Sequence, residues 1–165
     1  MSKIKEEVKR LNDIQPWNHN FTLPGNIETN PGKQISHGKN LVKMKRLKPI
    51  FDKIGVNGKN VLDMGCNEGF FSHYLASNGS KVHAIDIDEN RILKAKFVKE
   101  TIDETLDINF ENLDIYSSEF KSLKNFDLCL CLGFIHRVPD PFTAIKNLVD
   151  KSDLIIFEWK ALKSG

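Results

Sequence analysis

Apolar residues recur at helical spacing in two segments of the first third of the chain. Residues 3–14 and 40–54 each place them along one stripe, which predicts two amphipathic helices (Ile4, Val8 and Leu11 in the first; Leu41, Met44, Leu47, Phe51 and Ile54 in the second). Gly55 is expected to end the second helix and Pro49 to kink it. Between the helices, residues 15–39 carry three prolines and three glycines and predict an irregular segment.

After residue 59 the pattern changes to short apolar runs that alternate with helical segments. The runs predict strands at 60–64, 81–85, 108–113, 126–132 and 154–159, and the segments between them predict helices at 70–78, 89–102 and 140–150. Because the runs are almost continuously apolar, the strands are expected to be buried on both faces. The predicted fold class is therefore α/β, a Rossmann-like three-layer α/β/α arrangement with a mostly parallel sheet.

The stretch VLDMGCNEGFFS, residues 61–72, joins the first predicted strand to a helix. Gly65 and Gly69 follow the strand at the sheet edge where open α/β folds bind ligands, and glycine lets the backbone approach such a ligand closely. The dinucleotide fingerprint G-x-G-x-x-G needs a glycine at position 67, where this chain has Asn67. The turn therefore favours a ligand without a pyrophosphate.

Acidic residues stand at or after the carboxyl ends of the first three predicted strands. Asp86 comes 23 residues after Asp63, where an acid can accept hydrogen bonds from both hydroxyls of a ribose. Asp114 could face an adenine amino group, and Asp63 could bind an amino group or order the loop. Together the acids predict a nucleoside with a cationic, amino-acid-like tail. The structural alternatives are helix capping by Asp86 and turn formation by Asp114.

Four segments in this order and spacing resemble the successive motifs of class I S-adenosylmethionine-dependent methyltransferases: VLDMGCNEGFFS, HAIDID, NLDI and FDLCLCLGFIHRVPDP. The resemblance covers residues 60–159. It implies S-adenosylmethionine as cofactor, with the methionine tail near Asp63 and Gly65, and the ribose on Asp86. Adenine would lie between Ile87 and the edge formed by Asp114 and Ile115. The remaining implied cofactor residues are Cys66, Asn67, Gly69 and Leu132.

A narrower similarity involves Trp17, His19, Leu23, His136 and Arg137, which match the pattern of the family that carboxymethylates wobble uridines in tRNA. His136 and Arg137 stand where an acceptor would meet the sulfonium, so both are candidate catalytic residues: His136 could act as a base, and Arg137 could clamp a carboxylate or phosphate. Trp17 and His19 could form part of a lid. Phosphates could also be touched by Lys43, Arg46, Lys53 and His37, for which the alternative is a solvated helix face. The alternatives are loop packing by His136, a solvated Arg137, and packing of the N-terminal arm on the sheet.

The seven-strand sheet of the class I family would end in two antiparallel strands, and no segment after Trp159 predicts them. The C-terminal strands are therefore expected to be missing, which leaves the fifth strand as an apolar sheet edge. Such an edge favours self-association or a partner chain. The expected organisation is a part that covers the cofactor pocket, residues 1–59, followed by a truncated S-adenosylmethionine-binding domain, residues 60–165.

Composition and charge narrow the function further. The 165 residues include no apolar run long enough for a membrane span. Three cysteines without C-x-x-C spacing predict neither a zinc site nor disulfides. No metal and a cytoplasmic location are therefore expected. Residues 1–60 carry 12 Lys/Arg and 5 Asp/Glu, a surplus of seven positive charges, which fits RNA or a phosphorylated metabolite, or only a solvated helix. The predicted function is methyl transfer to RNA or a small molecule. The alternatives are a cofactor-binding module without activity and a nucleotide-dependent oxidoreductase.

Overall fold

The computed structural model describes residues 2–32 and 34–159, and of residues 34–39 the backbone alone. Helices α1 to α6 span Lys3–Ile14, Gln34–Ile54, Phe70–Ser77, Glu89–Ile102, Ser118–Ser122 and Pro141–Val149. Strands β1 to β7 span Thr22–Leu23, Ile27–Glu28, Asn60–Met64, Lys81–Asp86, Ile108–Asn112, Leu128–Leu132 and Ile155–Glu158. A 3₁₀ helix at Ile135–Arg137 precedes α6.

Five strands form the main sheet, in the order β5-β4-β3-β6-β7, and every neighbouring pair is parallel. β3 lies in the centre, so that Asp63 pairs with Ala84 of β4 on one side and with Leu130 of β6 on the other. Because all strands run the same way, their carboxyl ends meet at one edge of the sheet. The predicted α/β fold class with a parallel sheet is confirmed.

Apolar layers cover both faces of this sheet. One layer packs α2, α3 and α4 against the strands, and the other packs α5 and α6 (Phe51, Leu75 and Ile92 in the first; Phe120, Ala144 and Leu148 in the second). A third cluster joins α1 and the segment after it to Val98 of α4 (Val8, Leu11, Trp17, Phe21 and Leu23). The N-terminal segment is therefore attached to the sheet domain through α4.

The predicted irregular segment at 15–39 differs from the structure in two places. The second helix begins at Gln34, six residues earlier than the predicted Asn40. A small antiparallel hairpin, β1 and β2, lies within the segment, and its turn is possible because Gly25 and Asn26 adopt positive φ angles of 79° and 56°. Two-residue strands are too short for an alternating pattern to be recognised in the sequence. The helix α5 and the 3₁₀ helix were not predicted either, because they are too short for a helical period.

The last strand, β7, pairs with β6 alone within the part of the chain that the structure describes. Its residues Ile155, Ile156 and Phe157 are half-buried. Residues 160–165 lie outside the described residues, so the expected association through this edge stays a prediction. Among the described helices, none is long and apolar enough to cross a membrane.

Candidate functional site

A cavity of about 680 Å³ opens at the carboxyl edge of the sheet, above β3, β4 and β6. This volume lies within the range of small-molecule sites. Its wall includes eleven of the residues predicted from the sequence: His19, Asp63, Gly65, Cys66, Asn67, Asp86, Ile87, Asp114, Ile115, Leu132 and Arg137. Three other predicted residues, Gly69, His136 and Trp17, are not among the lining residues that the structure describes.

The glycine turn is fastened to the neighbouring strand by its own backbone. The amide groups of Gly65 and Cys66 both donate to the carbonyl of Ile85, at 2.8 and 3.0 Å. Asn67 has a φ of 55°, in the left-handed region that asparagine tolerates better than most residues with a side chain. Asn67 thus adopts a backbone conformation that glycine usually supplies, and it adds a side chain to the cavity wall.

Asp86 connects the end of β4 to this turn. One carboxylate oxygen accepts a hydrogen bond from the backbone amide of Asn67 at 2.9 Å, and the other accepts one from the amide of Asp88 at 3.0 Å. The residue that caps α4 is Asp88, whose side chain accepts from the amide of Asn90. Capping of the next helix, the structural alternative for Asp86, therefore belongs to a different residue.

Asp63 is an almost fully buried acid on the wall of the cavity, with 3% of its surface exposed. Burial raises its pKa to about 6, an effect that the hydrogen bond from Ser72 opposes and the charge of Asp86 reinforces. The Ser72 hydroxyl donates to Asp63 at 2.5 Å. Burial, together with the charges of Asp63 and Asp86, also raises the pKa of the Cys66 thiol, which keeps this thiol protonated and unreactive.

The far wall of the cavity is formed by the loop after β5 and by Ile87. The Asp114 carboxylate accepts a hydrogen bond from the amide of Tyr116 at 3.0 Å, so Asp114 does form a turn, and it also lines the cavity. Ile87 is 67% exposed and Ile115 is buried, and both line the cavity. Apolar side chains such as these can pack against a flat aromatic base.

Gly69 has a different role from the predicted one. Its φ is 79°, and a Cβ atom placed on it would lie 2.7 Å from the Phe110 ring, in the core below the turn. It precedes the first residue of α3, and its carbonyl accepts the amide of His73 at 2.9 Å. The glycine at this position is therefore needed for packing between the turn and β5, behind the cavity wall.

The two candidate catalytic residues lie on the 3₁₀ helix after β6, and both side chains are exposed. Arg137 lines the cavity, whereas His136 does not. The His136 ring lies near Gly133, at 4.0 Å from the position that a Cβ atom of this glycine would occupy. A role of His136 as a base stays a prediction.

The candidate lid residues separate in the structure. Trp17 is completely buried, packs against Phe97, and donates from its indole nitrogen to the carbonyl of Val8 at 3.2 Å. It is a core residue of the arm, which corresponds to the packing alternative. His19 lies on the cavity wall. The side chain of His37 lies outside the described residues.

Several wall residues were not predicted as site residues from the sequence (Asn18, Asn40, Met64, Phe71, Tyr116, Gly133, Phe134, Val138 and Pro139). Glu68, directly behind the wall, was missed as well. It is fully buried, and its ionic partner Arg91 and its backbone partner Asn18 stand 23 and 50 positions away in sequence. Local spacing cannot predict contacts between segments so far apart.

The polar groups of the cavity wall fit a nucleoside with an amino-acid tail. The carboxylates of Asp63, Asp86 and Asp114 can accept hydrogen bonds from amino and hydroxyl groups, and the apolar side chains of Ile87 and Ile115 can contact a base. The side-chain oxygen of Asn67 and the side-chain nitrogen of Asn40 are buried and have no hydrogen-bond partner among the described residues. Because buried polar atoms are normally paired, a ligand with both donors and acceptors suits these two atoms. No group of three His, Cys, Asp or Glu residues in the described ranges could hold a metal ion.

A family model described as a methyltransferase domain matches residues 62–151, more than half of the chain. The chain belongs to this methyltransferase domain family. The matched residues run from within β3 to the second residue after α6 and include the glycine turn, Asp86 and Asp114. The prediction of a methyltransferase is therefore confirmed at the level of the family.

Similar proteins carry names of different methyltransferases. The chain is similar to ubiquinone biosynthesis O-methyltransferase of Coxiella burnetii, with 34% identity over 144 residues, 87% of this chain and 55% of that protein. It is also similar to tRNA U34 carboxymethyltransferase of Nautilia profundicola, with 28% identity over 153 residues, 90% of this chain and 47% of that protein. The methyltransferase chain thus spans about half the length of the curated relatives it matches.

Solved structures share the fold. The N-terminal domain of EvdMO1 with SAH bound has a TM-score of 0.73 at 22% identity, over 92% of this chain and 63% of that chain. Magnesium protoporphyrin IX methyltransferase (ChlM) from Synechocystis PCC 6803 with bound SAM has a TM-score of 0.62 at 23% identity, over 74% of this chain and 60% of that chain. The SAH and SAM in these structures agree with the predicted cofactor.

Proposed function

We propose that the chain is an S-adenosylmethionine-dependent methyltransferase domain that transfers a methyl group to an RNA or small-molecule nucleophile. One observation carries the proposal. Asp63, Asp86 and Asp114, from three separate chain segments, converge with the glycine turn on a single cavity in a chain of this family. This arrangement supports a ligand that carries an amino group, ribose hydroxyls and an adenine edge.

Each wall residue has a definite task in this proposal. Asp86 accepts from the ribose hydroxyls while it holds the amide of Asn67. Asp63 accepts from the ammonium group of the methionine tail, next to the backbone of Gly65. Ile87 and Ile115 enclose the adenine. When bound, the cofactor supplies a methyl group on a sulfonium, and the task of the chain is to hold it in line with an acceptor.

The acceptor would enter from the opposite side of the cavity, where the charge is positive. Lys43 of α2 and Arg137 line that side, and Lys43 forms an ion pair with Glu158 at 2.5 Å. Farther along α2, Lys45, Arg46 and Lys53 are exposed. This basic surface supports an RNA acceptor, as the name of the tRNA U34 relative suggests, whereas the cavity alone suits a small-molecule acceptor.

Salt dependence separates the two acceptor classes. Binding through phosphates weakens steeply with salt, so affinity for a tRNA should fall by about 10³-fold or more between 50 and 200 mM salt if several cations contact its backbone. Arg46→Ala should reduce that slope, whereas Lys124→Ala, in the loop before β6, should leave it unchanged. Affinity that changes little with salt would favour the small acceptor.

Calorimetric titration with S-adenosylmethionine, S-adenosylhomocysteine (SAH) and NAD tests the cofactor half of the proposal. We expect micromolar binding of the first two and no binding of NAD, because Asn67 stands where a pyrophosphate would need glycine. Binding without methyl transfer to any tRNA or small acceptor would instead favour a cofactor-binding module that acts through a partner. Preferential binding of NAD would contradict both.

The affinity for SAH should depend on pH through Asp63. In the free chain this carboxyl is protonated below a pKa of about 6, and binding of the ligand ammonium requires the ionised form. Affinity should therefore rise about tenfold from pH 5 to pH 7 and level off above that. Titrations in two buffers with different ionisation enthalpies should show proton release at pH 5.

Asp63→Asn is the matched control for this pH dependence, since an amide can still accept from Ser72 but cannot ionise. The variant should bind more weakly at pH 7 and lose the rise between pH 5 and pH 7. If SAH affinity of Asp63→Asn kept the pH dependence of the wild type, contact of Asp63 with the ammonium would be excluded.

The stability of the ligand-free chain should depend on pH in the opposite direction. The folded state holds the Asp63 proton more tightly than the unfolded state, so the free energy of unfolding falls as pH rises from about 4 to about 6.

A further inference from the structure

A single buried carboxylate joins the N-terminal segment to the glycine turn. Glu68 lies between Asn67 and Gly69 and has no exposed surface. Its two oxygens accept the backbone amide of Asn18 at 2.9 and 3.0 Å, and one of them accepts the amide of His19 at 2.6 Å. Hydrogen bonds from amides to an ionised acceptor are among the stronger ones in proteins. The carboxylate therefore fixes two consecutive residues of the arm.

Two cations of α4 complete this contact. Arg91 donates to Glu68 at 2.7 Å and to the carbonyl of Pro16 at 3.1 Å. Lys94, also buried, lies 3.7 Å from the Glu68 carboxylate, donates to the carbonyl of Gln15 and stands 5.0 Å from the centre of the Trp17 ring. The segment 15–19 is thus held by its carbonyls on α4 and by its amides on the glycine turn.

The segment held in this way is part of the ligand cavity. Asn18 and His19 line the cavity together with Asn67, the residue before Glu68. The amide of Asn67 in turn binds Asp86. A change in the position of Glu68 therefore moves the arm wall, the turn and the Asp86 carboxylate relative to one another. Stability alone does not explain a buried ionic group here, because apolar residues of similar volume usually stabilise a core as well.

We propose that Glu68 is a positioning residue for the cofactor site, which sets the distance between the arm wall at Asn18–His19 and the glycine turn. This inference rests on the proposed function, since it concerns how the same cavity is shaped. Glu68 reaches the ligand only through Asn18, His19 and Asn67. Loss of its contacts should loosen segment 15–19 and weaken cofactor binding without removing any group that touches the ligand.

Glu68→Asp tests the proposal, with SAH as the probe. The shorter side chain keeps a negative charge beside Arg91 and Lys94 but cannot reach the amides of Asn18 and His19 at hydrogen-bond distance. We expect SAH affinity to fall by about tenfold, the loss that a weakened charged hydrogen-bond pair produces. Glu111→Asp is the matched control, because Glu111 of β5 pairs with His83 of β4 and does not line the cavity. It should bind SAH like the wild type.

Acrylamide quenching of Trp17 fluorescence gives a measurement that a general loss of stability would not change. In a Trp159→Phe background, which removes the other tryptophan, Trp17 is the sole indole, and its complete burial should shield it from acrylamide. In Glu68→Asp the quenching of Trp17 should rise well below the melting temperature, and saturating SAH should reverse the rise. In Glu111→Asp it should stay at the wild-type level.

The outcomes separate this inference from the proposed function. A wild type that binds SAH, with a Glu68→Asp variant that binds equally and shields Trp17 equally, would overturn the positioning role. A wild type that binds no SAH would overturn the proposed function, and the quenching of Trp17 would then still decide whether Glu68 holds the arm. If Glu68→Asp does not fold, Arg91→Lys decides, since it keeps the charge and loses the bridge to Pro16. Unchanged SAH affinity and quenching in that variant would count against the proposal.

Discussion

Asp86→Ala should abolish SAH binding within the range of calorimetry, a loss of at least about 100-fold. Two effects combine in this variant. The ligand loses the acceptor for its ribose hydroxyls, and the amides of Asn67 and Asp88 lose the carboxylate that binds them at 2.9 and 3.0 Å. Each charged hydrogen bond contributes about 1.5–3 kcal/mol, so loss of the pair to the ribose alone accounts for the expected change.

Two control variants identify the cause. Asp86→Asn still offers an oxygen to the amide of Asn67 but has no second acceptor, so its SAH affinity should be intermediate. Asp150→Ala removes an acid of an exposed ion pair with Lys146 and should bind SAH like the wild type. Circular dichroism and melting curves establish that each variant is folded. Wild-type affinity in a folded Asp86→Ala variant would refute the assignment of the ribose site.

The elements that carry the cavity were predictable because their signals are local. The apolar runs at 60–64 and 81–85 correspond to β3 and β4 within one residue, and the acids at their ends define the edge where ligands bind. Asp140 before Pro141 is a local signal for the start of α6, and the Asp140 side chain accepts the amide of Thr143. A capping residue, a buried strand and a glycine turn each depend on only a few neighbouring residues.

The arm was not predictable in the same way. Trp17 and His19 stand two positions apart, and the sequence offered one lid role for both. In the structure Trp17 turns into the core against Phe97, whereas His19 faces the cavity. Glu68 fixes the segment between them by accepting the backbone amides of Asn18 and His19, and its carboxylate also lies 3.8 Å from the His19 ring. Backbone contacts of this kind leave no residue pattern.

Electrostatics gives the cavity a direction that composition alone does not show. The chain has a net charge of only +2, yet the cavity wall holds three carboxylates, of Asp63, Asp86 and Asp114, together with Arg137 and with Lys43, whose charge Glu158 compensates. In the proposed function, the carboxylates favour a cationic ligand group beside Asp63, and Arg137 favours an anionic or electron-rich acceptor. A sulfonium donor and a nucleophilic acceptor match this polarity.

Gly69→Ala should lower the free energy of unfolding by about 3 kcal/mol or more, through two separate causes. A side chain at a φ of 79° is strained, and its Cβ atom would lie 2.7 and 2.8 Å from two atoms of the Phe110 ring. Phe110 is buried in the core beneath the turn and cannot shift without displacing its neighbours. Urea denaturation measures the change directly.

Gly58→Ala separates the two causes. Gly58 has nearly the same φ, 76°, but nothing lies within 4 Å of a Cβ atom placed there, so this variant should lose only about 1 kcal/mol. The difference between the two variants is the cost of contact with Phe110, and Phe110→Leu in the Gly69→Ala background should recover part of it. Equal losses at Gly69 and Gly58 would show that the turn can move away from β5. In that case the glycine would be needed for its backbone angle alone, and the cavity wall above it would be less rigid than the contacts of Gly65 and Cys66 with Ile85 imply.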